Sequence, residues 1–288
     1  VVITGASSGI GEACALHLDR IGYRVFAGIR KESDGQALTR RASNRLTPVF
    51  IDVTKPNSIA SAKELIYGEV SRTGLYGLVN NAGIVVAGPL ECVPLDSLRR
   101  QFEVNVLGQV AVLQALIPLL REGRGRVINM GSTSGRLALP LLGPYAASKF
   151  ALEAITDTLR LELRRWAIPV SIIEPGTIAT PIWDKSTALA DEIMQDLSKP
   201  AQALYHPLVL AVKRALSKAA GKAIPPERVA RVVAGALTAK RPRARYVVGW
   251  DARLVRLLLR PLPAAIRDRL ILGAMSTDAS DHPGIGQT

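Results

Sequence analysis

Cysteine is scarce: Cys14 and Cys92 are the only two in 288 residues. Two thiols cannot make a disulfide framework, and such usage suits a reducing interior. Cys14 reads as a small apolar residue on the first helix. Histidine is equally sparse. His17, His206 and His282 are scattered without metal-ligand spacing, so no metal site is expected. Aromatic residues make up 5% of the chain and no recognised nucleic-acid module is present, so no nucleic-acid partner is expected despite a net charge of +13. No apolar stretch approaches the roughly 18 residues that a membrane-spanning helix needs, and no secretory signal is read before the first strand. The chain opens on Val1 within a strand pattern, so a few residues are expected to precede it. The expected location is the cytoplasm.

Apolar residues make up 48% of the sequence, enough for a large core in one α/β domain spanning 1–288. Short apolar runs (VVIT, YRVFAGI, TPVFID, GLVNNA, GRVINM, IPVSIIEP and ARYVVG) alternate with amphipathic stretches. Helices are expected over Asn57 to Ser71, Leu95 to Leu120, Pro144 to Trp166 and Pro226 to Lys240. Strands separated by helices imply right-handed crossovers and a Rossmann-type, doubly wound, mainly parallel seven-stranded sheet covered on both faces. Within that domain, about 177–225 is expected to be a substrate-loop region and 250–288 a basic C-terminal extension.

The first run leads directly into GASSGIG and then a helical pattern. Gly5, Gly9 and Gly11 allow a tight turn and close approach to a pyrophosphate, and the helix N-terminus behind them favours an anion. The spacing is G-x-x-x-G-x-G rather than the usual G-x-G-x-x-G. Further on, Tyr145 and Lys149 stand four residues apart, on one face if helical, with Ser132 thirteen residues upstream. A cation beside a phenol is expected to lower its pKa toward working pH, and a nearby hydroxyl can hold a carbonyl oxygen. Alone, a Y-x-x-x-K pair also occurs by chance on surface helices.

Thr4 to Gly11 (TGASSGIG), Asn80 to Gly83 (NNAG), Asn105, Ser132, Tyr145, Lys149 and Pro175-Gly176 stand in the order of the short-chain dehydrogenases/reductases, and the chain resembles the short single-domain members over nearly its whole length. The resemblance implies Ser132, Tyr145 and Lys149 as catalytic residues, with Asn105 holding a water in the proton relay. It implies cofactor contacts from Gly5, Ser7, Ser8, Gly9, Ile10 and Gly11, from Asp52 and Val53 at the adenine, and from Asn81, Ala82 and Gly83 along the adenosine ribose. Tyr145, Lys149, Pro175, Gly176, Ile178 and Thr180 would meet the nicotinamide end. Assembly through the long helices implies a homodimer or homotetramer.

In this fold an acid at the end of the second strand binds the NAD ribose, whereas an arginine accommodates the NADP phosphate. Here Ile29 takes the acid's place and Arg30 follows, favouring NADP(H), with NAD(H) as the alternative. The segment RLALPLLG between serine and tyrosine is apolar. The late YVVGWDARLVRLLLRPLPAAIRDRL resembles the tail of the retinol and hydroxysteroid dehydrogenase branch, implying a steroid-, retinoid- or lipid-like alcohol or carbonyl as substrate. From Pro200 onward there are 15 Lys and Arg against 5 Asp and Glu. The basic, leucine-rich stretch Asp251 to Arg260 reads either as a peripheral membrane element or as a core-docked helix with solvated arginines. The remaining alternatives are a small-molecule or acyl-type carbonyl reductase using NAD(H), and a cofactor-binding scaffold or sensor without turnover.

Overall fold

The computed structural model describes residues 1–259 and 261–275. His282 and the rest of the tail beyond 275 lie outside the described residues. Seven parallel strands form one sheet: β1 (Val2–Ile3), β2 (Val25–Ile29), β3 (Leu46–Phe50), β4 (Gly77–Asn80), β5 (Arg126–Met130), β6 (Val170–Pro175) and β7 (Arg245–Val248). Their spatial order is β3-β2-β1-β4-β5-β6-β7, so the winding reverses beside β1, as expected. A crevice opens where strands diverge in this way, outside their carboxyl ends.

Successive strand residues point to opposite faces, and the apolar runs therefore feed two cores. Ile3, Val25 and Ala27 join Cys14 and Leu18 of α1 (Gly9–Arg20) and Val229 and Val233 of α9 (Pro226–Thr238). Val2 and Phe26 join the other core, with Ile59 and Ile66 of α3 (Pro56–Val70) and Val112 and Leu116 of α5 (Gly108–Glu122). Pro56 and Pro226 each occupy the first helical position, where a missing N–H costs nothing. A short helix, α2 (Glu32–Thr39), links β2 to β3.

Several sequence expectations need correction. The helix read over Leu95 to Leu120 is α4 (Leu95–Phe102), a π turn over Glu103–Leu107, and α5. Joined as Leu95–Glu122, it is long and apolar enough to cross a membrane, with a mean hydropathy of 1.5, contrary to the expectation that no stretch would be. It is a core element here, its most apolar 18-residue window 56% buried, with Val112, Leu116 and Leu120 packed into the second core. The helix read over Pro144 to Trp166 is α6 (Gly143–Glu162) followed by a 3-10 turn. The substrate-loop region is mostly helical, comprising α7 (Ile182–Gln195) and α8 (Lys199–Ala220). The extension begins with α10 (Trp250–Leu254), a π turn over Val255–Leu259 and α11 (Ala264–Met275).

Candidate active site

Thr4 directly follows β1 and is fully buried. Its Oγ1 accepts the backbone N–H groups of Asn81 (2.9 Å) and Ala82 (3.0 Å), so the glycine turn and the turn after β4 are tied at their bases. Asn81 returns the link, donating its amide to the carbonyls of Thr4 and Gly5, both at 3.0 Å. The contact leaves no room for side chains. A Cβ on Gly5 would sit 2.8 Å from Ala82 Cα, and one on Gly11 would overlap Gly5 O and the Asn81 amide. Gly5 (φ +64°) and Gly9 (φ +59°) also adopt left-handed backbone, which glycine accepts without strain. Behind them α1 starts at Gly9, its unpaired N–H groups facing the crevice as an anion cradle.

Just past β3, Asp52 Oδ1 accepts from Thr54 N (3.0 Å) and Thr54 Oγ1 (2.8 Å). Burial pushes its carboxyl upward, but these donors and the nearby Arg30 and Lys55 charges outweigh that and hold it below the usual value. Ile29 closes β2 as a buried apolar residue, and the exposed Arg30 follows it into the cavity wall.

The catalytic candidates come from β5 and α6. Ser132 stands just past β5 in extended backbone, and its Oγ accepts from Ser134 N at 3.1 Å, fixing the 3-10 turn Thr133–Gly135. Tyr145 and Lys149 lie one turn apart on α6, both buried, with the ammonium 5.7 Å from the phenol ring centroid. Lys149 donates to Met130 O at 2.7 Å. The expected acidification of the phenol is not what this geometry produces. Burial raises the Tyr145 pKa, and a hydrogen bond with Ser132 offsets part of the rise. Lys149 itself is lowered to about 8 by burial. Desolvation dominates both groups.

Asn105 lies in the π turn, its amide accepting from Ile84 N (2.9 Å) and donating to Ile84 O (3.0 Å). It is the middle rung of a ladder. Gln101 accepts from Val86 N (2.7 Å) and donates to Ile84 O (2.9 Å), while Gln109 donates to Ala82 O (3.0 Å). Residues 101, 105 and 109 thus meet residues 86, 84 and 82. A four-residue helical step advances ~6 Å and two extended residues advance ~6.6 Å, so the periods match. Ser148 closes the frame, accepting from Asn105 Nδ2 at 3.2 Å and donating to Tyr145 O at 2.7 Å.

One cavity of about 450 Å³ gathers every expected site residue except Gly11 and Asn105, which support it from behind. Sequence reading missed Gln101, Gln109 and Ser148, although three amides at four-residue spacing on an apolar helix are a visible signal. It also missed the role of Asp251. The Asp251 carboxylate accepts from Thr177 N at 2.6 Å, and Gly176 and Gly249 have no Cβ because that carboxylate occupies the space. Around Tyr145 the packing is apolar: Val85, Ala87, Leu139, Leu142, Ile182 and Ala190 pack with it, and Val85 and Ile182 also line the cavity.

This geometry agrees with known proteins. Residues 1–190 match the model of the short chain dehydrogenase family. Retinol dehydrogenase 5 of Homo sapiens is 38% identical over 286 residues, covering 94% of this chain and 87% of its own length. An NADPH-dependent 3-dehydrocapnine reductase of Ornithobacterium rhinotracheale is 35% identical, with 93% and 94% covered. The crystal structure of a short chain dehydrogenase from Burkholderia cenocepacia in complex with NADP superposes with a TM-score of 0.70 at 26% identity, covering 93% of this chain and 95% of the other. The chain belongs to the short chain dehydrogenase family, as an oxidoreductase that acts on CH–OH groups with NAD(P).

Proposed function

We propose that this enzyme uses NADP(H) to interconvert a hydrophobic alcohol and its ketone or aldehyde. The observation that carries the reading is the single cavity that joins the glycine cradle and Arg30 to Ser132, Tyr145 and Lys149. The residues fit a dinucleotide: a Cβ-free turn for the pyrophosphate, an apolar Ile29 in place of an acid, and a guanidinium that can meet a 2′-phosphate bidentately. Bound there, the cofactor supplies or accepts hydride at the substrate carbon. The chain supplies the proton and the electrostatics. Ser132 and Tyr145 hold the carbonyl oxygen with their hydroxyls, and Tyr145 donates its proton to that oxygen as reduction proceeds. Burial keeps the phenol protonated at neutral pH, ready to donate. Lys149 places a cation beside it, and Asn105 holds the wall that faces α6.

The apolar surroundings of Tyr145 favour a steroid-, retinoid- or lipid-like substrate. The similarity to a retinol dehydrogenase supports the same substrate reading, and the similarity to an NADPH-dependent reductase supports the cofactor reading. The direct test is turnover of retinoid, steroid and short-chain carbonyls with NADPH and NADH, in the parent, Arg30→Ala and Tyr145→Phe. The expected result is a preference for NADPH and a bulky apolar carbonyl, a loss of that cofactor preference in Arg30→Ala, and inactivity in Tyr145→Phe. Equal efficiency with both cofactors in parent and Arg30→Ala would overturn the NADP reading. Retained turnover in Tyr145→Phe would overturn the catalytic one.

The exposed Leu254, Leu257, Leu258, Ile266, Leu270 and Leu272 favour peripheral membrane contact by the C-terminal helices, which also carry Arg253, Arg256, Arg267 and Arg269. Sedimentation with anionic liposomes should occur at low salt and weaken at high salt; no sedimentation at low salt would dismiss it. Exposed Leu107, Phe150 and Leu161 on the long helices favour assembly into a dimer or tetramer, which light scattering would resolve.

A further inference from the structure

Arg136 immediately follows the turn that carries Ser132. Its guanidinium reaches two buried carboxylates: Glu153, one helical turn beyond Lys149 on α6, and Glu174, the residue before Pro175-Gly176 at the end of β6. Nη2 bonds Glu153 Oε2, and Nε meets Glu174 Oε1 at 3.3 Å. The same turn is pressed onto α6, since a Cβ on Gly135 would stand 3.0 Å from Lys149 O and 3.2 Å from Glu153 Cγ. Arg245, at the start of β7, serves the same carboxylates from the other side. It meets Glu153 Oε2 at 3.1 Å and Glu174 Oε1 at 3.5 Å, and it bonds Asp157 Oδ2 at 2.5 Å. Side-chain exposure is 6% for Glu153 and 3% for Glu174.

We propose that Arg136 is a positioning residue for catalysis, locking the Ser132 turn to the Lys149 helix and to the Pro175-Gly176 turn through Glu153 and Glu174. None of the three residues, Arg136, Glu153 and Glu174, touches the reacting atoms. Each stands next to an element that does, so one planar guanidinium sets three catalytic elements at fixed separation. A buried ion-pair cluster is a poor source of net stability, because desolvation cancels most of the attraction; what it fixes well is geometry. Lysine offers one point charge and cannot span both carboxylates with the rigid fork of arginine. The inference rests on the reading of Ser132 and Tyr145 as the pair that holds the carbonyl oxygen.

The test compares two charge-balanced double variants, each removing one cation and one anion from the cluster. Arg136→Met with Glu153→Gln frees the serine turn; Arg245→Met with Asp157→Asn leaves Arg136 on both Glu153 and Glu174. The first should lose ~10-fold to 100-fold in kcat per folded enzyme, with the thermal midpoints of the two variants alike. The second should stay within about threefold of the parent. Added guanidinium should restore part of the turnover of the first variant and none to the second. Equal kcat losses in the two variants would show a merely structural cluster and overturn the proposal. Should the Met variant not fold, Arg136→Lys carries the test: parental kcat there overturns it, and a loss of about tenfold or more supports it. Tyr145→Phe is assayed alongside. If it is inactive while the Arg136 variants are fully active, only this inference falls; if it is active, the underlying reading falls.

Discussion

Asp251 accepts a hydrogen bond from the backbone N–H of Thr177 at 2.6 Å, across 74 residues of sequence. The carboxylate fills the gap between Gly176 and Gly249, so the turn after β6 takes its shape from the C-terminal region. A charge-assisted bond of this kind contributes ~1.5–3 kcal/mol. Asp251→Ala should therefore weaken cofactor binding by roughly 10-fold or more, measured by NADPH fluorescence titration. Asp251→Asn keeps an acceptor and should lose less. Identical affinity in Asp251→Ala and the parent would refute the link.

Gly9 offers a test of the cradle. It has φ +59°, and an added Cβ would stand 3.1 Å from Thr180 Cβ and Cγ2. Gly9→Ala should cost ~1–2 kcal/mol in left-handed strain alone and weaken cofactor binding further by pushing Thr180. Urea unfolding and cofactor titration on the same preparation separate the two effects.

Burial pushes the Glu153 carboxyl from 4.5 up to about 7, and Glu174 beside it adds to the rise against Arg136 and Arg245. The folded state then holds a proton that the unfolded chain has released. The contribution of Glu153 to stability is therefore fully present below the unfolded value and is lost as pH rises from about 4.5 through about 7. Urea midpoints at a series of pH values should show this decline, and Glu153→Gln should flatten it. A decline of the same slope in the variant would assign it to another group.

Gln101 bears on stability rather than chemistry. Gln101→Leu leaves the N–H of Val86 without its partner at 2.7 Å and the carbonyl of Ile84 with one donor fewer. An orphaned buried N–H costs ~1–3 kcal/mol. The denaturation midpoint should fall accordingly, and cofactor affinity should fall with it because the Ala82–Val86 segment walls the cavity. A midpoint equal to the parent would show that the ladder contributes nothing.

The sequence made the local features legible. Gly5, Gly9 and Gly11 announce themselves because only a turn pressed on its neighbours needs them, and the β-branched runs feed cores by simple alternation. Tyr145 and Lys149 share a face through helical geometry alone. What stayed hidden depends on burial or on distant partners. Residue spacing could not show that desolvation would outweigh the lysine and raise the phenol pKa. The sequence marks about 177–225 only as a region beside the substrate; that Ile182–Gln195 is a helix follows from its apolar residues packing against Tyr145 and Val93, far away in sequence. Asp251 looked like one acid in a basic tail. Its role exists only once β7 lies beside β6, which brings Gly249 against Gly176.

The segment between the serine and the tyrosine is held at both ends, by Arg136 on one side and by Pro144 in the first turn of α6 on the other. Leu137 to Leu142 between them bond to neither catalytic hydroxyl, and the carbonyl of Leu141 needs only the N–H of Gly88, at 2.8 Å. Leu139 and Leu142 nonetheless pack into the same small core as Tyr145. The proton donor is therefore seated by a stretch that never bonds to it, and a change of shape there would reach the acid as well as its surroundings.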